Sequence, residues 1–367
     1  MRASIKRPPV NPKVAINKPG RRKSPTSKPV PFLNTGFQSS SAFENRCKRL
    51  SQGPVRAAAC RNESVSTSLM TDRRIAFRFR FCSLDIRRMT LDIDFSNDPE
   101  FCKLLARRQD IDLTHVALEL ARDAQPKLDF EHTLTWIGKR STELRSHILR
   151  VRSDREILRE LVRCLAGTHG LHGDKQAYQR AECSYINRVI ETGVGIPISL
   201  SVVYVAVAQA AGLELTGVAA PMHFLTRFDT VQGPLFVDAF NAGEVLNYDE
   251  CIEWIESLSG LTSNEIERSL EPATPRDVVI RMLNNLKALH VNQEDWEHAW
   301  HVQRRLLALH SQAFDQRRDL ALIAIKTNRP GVAIDLLEKC LKDCSPKDRP
   351  VILSQLHIAE HNLSKWN

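Results

Sequence analysis

From residue 94 onward, apolar side chains recur every three or four positions through LTHVALELA (113–121), FEHTLTWIGKRSTELRSHILRV (130–151) and REILRELVRCLA (155–166). That spacing predicts amphipathic helices. A QPKLD turn at 125–129 separates the first two, and THGLHGD (168–174) reads as a glycine-containing loop. ECSYINRVIETG (182–193) predicts a short helix closed by Gly193 in a left-handed C-terminal cap. The pattern then changes, because the run from Ile198 to Ala211 has no polar face and predicts a helix buried on all sides. Pro197 suits the first turn of that helix, where a missing N–H is no loss. Three strand-like runs follow at 213–220, 223–228 and 234–240, with His223 opening the second and Asp238 closing the third. A helix is expected over DECIEWIESL (249–258).

Beyond Pro275 the helical period returns, and the chain aligns with itself at an offset of 34 residues. Ala299 falls on Ala333, Val302 on Leu336, Leu306 on Cys340 and Leu307 on Leu341; in the preceding helices Leu286 falls on Leu320 and Leu289 on Ile323. This is the tetratricopeptide period, in which paired helices stack because neither buries its apolar face alone. PVILSQLHIAEHNL (350–363) reads as a capping helix. Two copies are fewer than the usual three, so the array is expected to lean on the preceding domain for support.

Charge divides the 367-residue chain in two. Residues 1–90 carry 20 Lys and Arg against Glu44, Glu63, Asp72 and Asp85, whereas the remainder carries 32 basic and 39 acidic residues. The net charge of +9 therefore belongs to the basic segment, which is rich in Pro and Ser and has too few clustered apolar residues to offset chain entropy. It is expected to be disordered, and translation is expected to begin downstream, near Met70 or Met89. An electrostatic arm for nucleic acid and an organelle transit segment are the alternatives. Nine scattered cysteines without CxxC pairs fit a reducing, cytoplasmic setting. No apolar run approaches the ~20 residues of a membrane span, so no membrane partner is expected.

Gly193-x-Gly195 invites a dinucleotide-loop reading, but a helix precedes it and Ile198 stands where the third glycine should be. A buried helix followed by a meander carrying His223 and Asp238 instead resembles the transglutaminase-like superfamily. There a cysteine opening the central helix is followed by a histidine and an aspartate on successive strands. A helix N-terminus lowers a thiol's pKa, histidine takes its proton and the carboxylate orients the ring. The blocks SYINRVIETGVGIPISLSVVYVAVAQAAGL, PMHFLTRF, FVDAFNAGEVLNYDEC, RMLNNLKALH and RRDLALIAI are similar, in order over roughly residues 94–350, to the SirB-type branch. In that branch a transglutaminase-like core precedes tetratricopeptide repeats. One departure is Met222, where the family usually has glycine before the histidine.

The resemblance implies that His223 and Asp238 match the second and third members of a triad. Counting back from Gly212, the nucleophile's place falls on Pro197, which has none; in this branch a cysteine is ordinarily absent there too. Ser199 is the nearest substitute, turned about 200° around the helix. It is read first as a helix-start residue bonding to backbone and second as a nucleophile; Cys183 on the previous helix is a further candidate. His223 and Asp238 are read first as a buried pair tying two strands and second as catalytic groups. Gly195, Pro197 and Asn241 are expected to shape the cleft. Cys164, His169 and His172 could supply metal ligands, as could Cys340 and Cys344, but solvated loop histidines and helix packing are the plainer readings. No metal and no cofactor is expected. Trp254, Trp296 and Trp300 read as packing residues.

These readings predict an α+β protein in three parts: a basic tail over 1–88, a helical lead-in with a transglutaminase-like (papain-like) core and small antiparallel sheet over 89–270, and an all-α tetratricopeptide-like array over 271–367. The function expected is a non-catalytic binding or regulatory one, with a protein or peptide held by cleft and repeats. An amide hydrolase or acyltransferase using His223 and Asp238 with a displaced nucleophile is the alternative. Nucleic-acid binding through the basic tail is the third.

Overall fold

A computed structural model describes residues 94–365. The expectations for the basic segment over 1–88, its start site and its possible nucleic-acid role lie outside the described residues. Four helices open the described chain: α1 (Pro99–Leu105), α2 (Leu113–Arg122), α3 (Phe130–Ile148) and α4 (Asp154–Val162). Asp112, Asp129 and Ser153 cap the last three by accepting a first-turn backbone N–H. The orphan N–H groups of α1 are satisfied from a distance, with the Glu119 carboxylate accepting from Glu100 (3.0 Å) and Phe101 (2.7 Å). The apolar run expected to stay helical to residue 166 changes pitch after Val162. Arg163–Thr168 forms a π-turn, and the His169 N–H closes it on the Cys164 carbonyl at 3.1 Å.

The loop expected at 168–174 holds a strand. β1 (His172–Gly173) pairs in parallel with β2 (Val194–Gly195), too short a match for any sequence period to register. The helix expected from residue 182 begins later, as α5 (Ile186–Thr192), after a 3₁₀ turn at Ala181–Ser184; Gly193 ends it at φ +76° in the expected left-handed cap. Helix α6 (Pro197–Ala210) follows, buried at every position from Pro197 through Ala208. Its surroundings explain the missing polar face: α2, α3, α5, β3 (Leu215–Val218) and β4 (Leu225–Thr230) all pack on it.

β3, β4, β5 (Gly233–Asp238) and β6 (Glu244–Leu246) form an antiparallel meander in chain order. Alternation sorts its two faces, with Leu215 and Val237 entering the α6 core. Val218, Leu225, Phe236 and Leu246 pack on the other side with Cys251 and Ile255 of α7 (Tyr248–Ser259) and Ile266 of α8 (Ser263–Glu267). His223 does not open a strand as expected. It ends a turn in which its N–H donates to the Ala220 carbonyl (3.2 Å), and pairing starts at Leu225. Pro221 has no N–H to offer a ladder, and Met222 sits at φ +64°, off the extended path. Proline followed by a positive φ describes a type II turn, whose third position favours glycine.

Helices α9 (Pro275–Asn292), α10 (Trp296–Leu309), α11 (Phe314–Lys326), α12 (Pro330–Asp343) and α13 (Arg349–Ser364) complete the chain. The 34-residue offset is visible in the backbone: α10 and α12 start and end 34 residues apart, and the turns before them place Glu294 (φ +59°) and Asn328 (φ +57°) in the left-handed region at the same offset. Ala299 and Ala333 are both fully buried. The first repeat shares the α6 core, to which Val278, Met282 and Leu286 of α9 and Val302 and Leu306 of α10 contribute. Arg305 adds a buried polar tie: its guanidinium bonds Asp123 (2.6 and 2.7 Å) and Asp98 (2.8 Å), beneath the rings of Phe95 and Phe101. No helix among the described residues is long and apolar enough to cross a membrane.

Candidate functional site

The type II turn before β4 and the end of β5 bring His223 and Asp238 together. His223 Nε2 lies 2.9 Å from Asp238 Oδ1, and the two side chains are 7% and 1% exposed. Asp238 also organises the loop after its strand. Its Oδ1 accepts the backbone N–H groups of Phe240 (3.0 Å) and Asn241 (3.2 Å), and Oδ2 accepts the Asn241 amide at 2.6 Å. Burial alone would raise this carboxyl, but the bonds from His223 and Asn241 and the charge of His223 outweigh it and hold the group below its ordinary value. The pair therefore has a carboxylate-oriented imidazole, the geometry that lets histidine accept a proton elsewhere. Among the described residues no group bonds His223 Nδ1.

The ring is walled by Trp254, edge-on at a centroid distance of 4.9 Å, and by Phe240 at 5.9 Å. Tyr178 packs on Phe240 at 6.2 Å, and desolvation pushes its hydroxyl up to about 12, so it stays a neutral donor. Arg281 of α9 reaches the turn from outside the sheet, its Nη2 donating to the carbonyls of His223 (3.3 Å) and Ala220 (3.5 Å).

Ser199 does not join this group. Its hydroxyl donates to the Cys183 carbonyl at 2.6 Å, lies 3.1 Å from the Ile196 carbonyl and accepts the Ile196 N–H at 3.1 Å; no hydrogen bond links it to His223. It thus knots the start of α6 to the preceding turn. Pro197 is the first residue of α6 and is buried. Gly195 is needed for close packing, since a Cβ there would come within 2.8 Å of Leu200 and 2.9 Å of Ser199 Oγ. Burial raises the thiols of Cys164 (to about 11), Cys183 and Cys251 (to about 12), so these cysteines are kept protonated, the reverse of an activated nucleophile. Asn241 is placed on the carboxylate of Asp238, away from the imidazole.

Among the described residues two groups have donor atoms within 4.8 Å of one another, the spacing a metal ion needs: Glu143 with Cys164 and His169, and His290 with Asp295 and His298. The first replaces the expected His172 by Glu143. His172 instead bonds the Gly170 carbonyl (2.7 Å), while His169 bonds Glu143 at 2.9 Å. In the second, Asp295 accepts from both histidines, 3.1 Å from His290 and 2.9 Å from His298. In each group the carboxylate already accepts from a histidine. Trp254, read from sequence as packing, lies against the imidazole; Tyr178 and Arg281 gave no sequence signal of their own, because the residues that make them neighbours of His223 lie 45 and 58 positions away.

The order of these elements has counterparts. Residues 131–284 match the transglutaminase-like superfamily and residues 286–357 the tetratricopeptide repeat. A UPF0162 protein of Xylella fastidiosa (strain 9a5c) is 32% identical over 228 residues, which span 61% of this chain and 81% of that protein. This chain belongs to the UPF0162 family. Protein SirB1 of Salmonella typhimurium (strain LT2) is 23% identical to this UPF0162 chain over 212 residues, 57% of this chain and 78% of SirB1. The UPF0162 protein YchA of Escherichia coli K12 is 24% identical over 209 residues, 56% of this chain and 77% of YchA. No solved structure matches the chain.

Proposed function

We propose that this UPF0162 protein is a binding or regulatory protein that does no acyl-transfer chemistry, holding a protein or peptide segment with its cleft and repeats. One observation carries the reading: the position that should bear the nucleophile is Pro197, and the nearest hydroxyl, Ser199, is committed to backbone groups. A histidine with an orienting carboxylate but nothing to deprotonate provides polar recognition rather than turnover. In this reading residues 89–270 carry the cleft, residues 271–367 the repeats, and stacked helices offer a concave surface for an extended or helical segment. The six described cysteines are free, which supports a cytoplasmic setting.

The test is labelling of the full chain with electrophilic amide-hydrolase probes, a fluorophosphonate for hydroxyls and an acyloxymethyl ketone for thiols. No labelling that depends on His223 is expected. Labelling that disappears in His223→Ala and in either Ser199→Ala or Cys183→Ala would establish the amide-hydrolase alternative.

A further inference from the structure

We propose that Arg281, with Tyr178 and the His223 ring, forms a recognition site for one carboxylate of a peptide ligand; this rests on the binding reading of the cleft. Arg281, like Arg276, bonds only backbone carbonyls, whereas other well-shielded arginines are paired with a carboxylate. Arg305 is paired with Asp98 and Asp123, Arg318 with Asp319, and Arg227 with Asp229. Arg281 has no carboxylate within ion-pair distance among the described residues, and its hydrogen bonds go to the two carbonyls of the turn that presents His223. A half-buried guanidinium facing only neutral acceptors has lost hydration without gaining a counter-charge, and an incoming anion supplies it.

What surrounds it selects the anion. Carbonyls take one guanidinium nitrogen, leaving donors of the planar fork for a carboxylate. Tyr178 contributes a neutral hydroxyl, and the tilted and edge-to-face chain of rings from Tyr178 through Phe240 and His223 to Trp254 supplies an aromatic lining for the residue that carries the carboxylate. A dianionic phosphate fits less well, because the site offers one arginine and lies beside the ionised Asp238, whereas a singly charged carboxylate is neutralised by Arg281 alone. His223 Nδ1, without a hydrogen-bond partner among the described residues, is left to bond the adjacent peptide group.

The experiment uses the full chain and three pools of N-acetylated tetrapeptides, measured by equilibrium dialysis with mass spectrometry. One pool lacks Asp and Glu and ends in a free acid, the second is its C-terminal amide, and the third is an amide containing Glu. Retention of at least one carboxylate pool about tenfold above the neutral amide is expected, the size of one charge-assisted hydrogen-bonded contact. Which carboxylate pool is retained tells whether a chain terminus or an acidic side chain is bound. Arg281→Gln is expected to remove the preference and Arg281→Lys to restore part of it, with thermal melts showing both variants folded. Equal retention of acid and neutral amide, or a preference unchanged in Arg281→Gln, overturns the carboxylate site while His223→Ala sensitivity leaves the binding cleft standing. Displacement of the pool by inorganic phosphate at lower concentration than by acetate also overturns it, in favour of a phosphate site. Retention of no pool overturns this inference, and if the repeats also hold no peptide, the binding reading with it.

Discussion

Met222 occupies the position of the His223 turn where a glycine is normally required, and the cost can be measured. At φ +64° the Cβ of any L-residue crowds the following carbonyl, a penalty of about 1–2 kcal/mol. Glycine escapes that penalty but loses about 0.5–1 kcal/mol more chain entropy on folding than alanine does. Met222→Gly and Met222→Ala both remove the half-buried methionine side chain, so the comparison between them isolates the backbone. Met222→Gly is expected to be the more stable by about 0.5–1 kcal/mol, where an ordinary helix or strand position would give the opposite sign. Urea unfolding followed by tryptophan fluorescence reads this directly; in a thermal melt it corresponds to about 1–4 °C for a unit of this size. Met222→Asn, tolerant of the left-handed region, is expected between the two. A Met222→Gly protein no more stable than Met222→Ala would refute the type II turn and the strained presentation of His223 that follows from it.

Asp238 contributes an acid limb to stability. Its folded pKa is lowered, so its contribution is present above the ordinary carboxyl value of 3.8 and is lost as pH falls through the folded value. Asp238→Asn is therefore expected to flatten the loss of stability below about pH 4 and to cost about 1–3 kcal/mol at pH 7, as buried donors lose their acceptor; an unchanged acid limb in chemical denaturation would contradict this. At the junction, Arg305→Met leaves Asp123 without its buried cation and is expected to cost about 3–5 kcal/mol, much of it recovered when Asp98→Asn and Asp123→Asn are added. Urea unfolding checks both steps, and a loss below about 1 kcal/mol for the single variant would show that the tie is not needed.

Much of the scaffold is written in local pattern. The apolar run of α6, the glycine that ends α5 and the 34-residue offset each depend on residues a few positions apart or on strict repetition. What escaped lies in long-range geometry. Strand β6 is three residues long, and β1 and β2 are two each, below the length at which alternation is a signal. The turn at Pro221-Met222 displaces the start of β4, because a proline followed by a positive φ specifies a turn that the apolar pattern of 223–228 does not register. The resemblance to the transglutaminase-like order puts His223 with Asp238, but it does not reach Tyr178 and Arg281. One stands in a short 3₁₀ segment and the other on what looks like an ordinary amphipathic helix. Arg305 has the same character: in RRLLAL nothing distinguishes it from its neighbour Arg304, and only folding puts two aspartates from the lead-in against it.

The all-apolar character of α6 has a consequence during synthesis. Part of its cover comes from α9, and Val302, Leu306 and Leu309 of α10 complete the same core, so that core is not closed until Leu309 has been made, about 100 residues after α6 ends. At about 5–20 residues per second the ribosome leaves that helix incompletely shielded for roughly 5–20 s, longer than most elementary folding events. The nascent chain over this interval is a natural client for a holdase, and truncations that stop before α10 are expected to aggregate rather than to yield a smaller working protein.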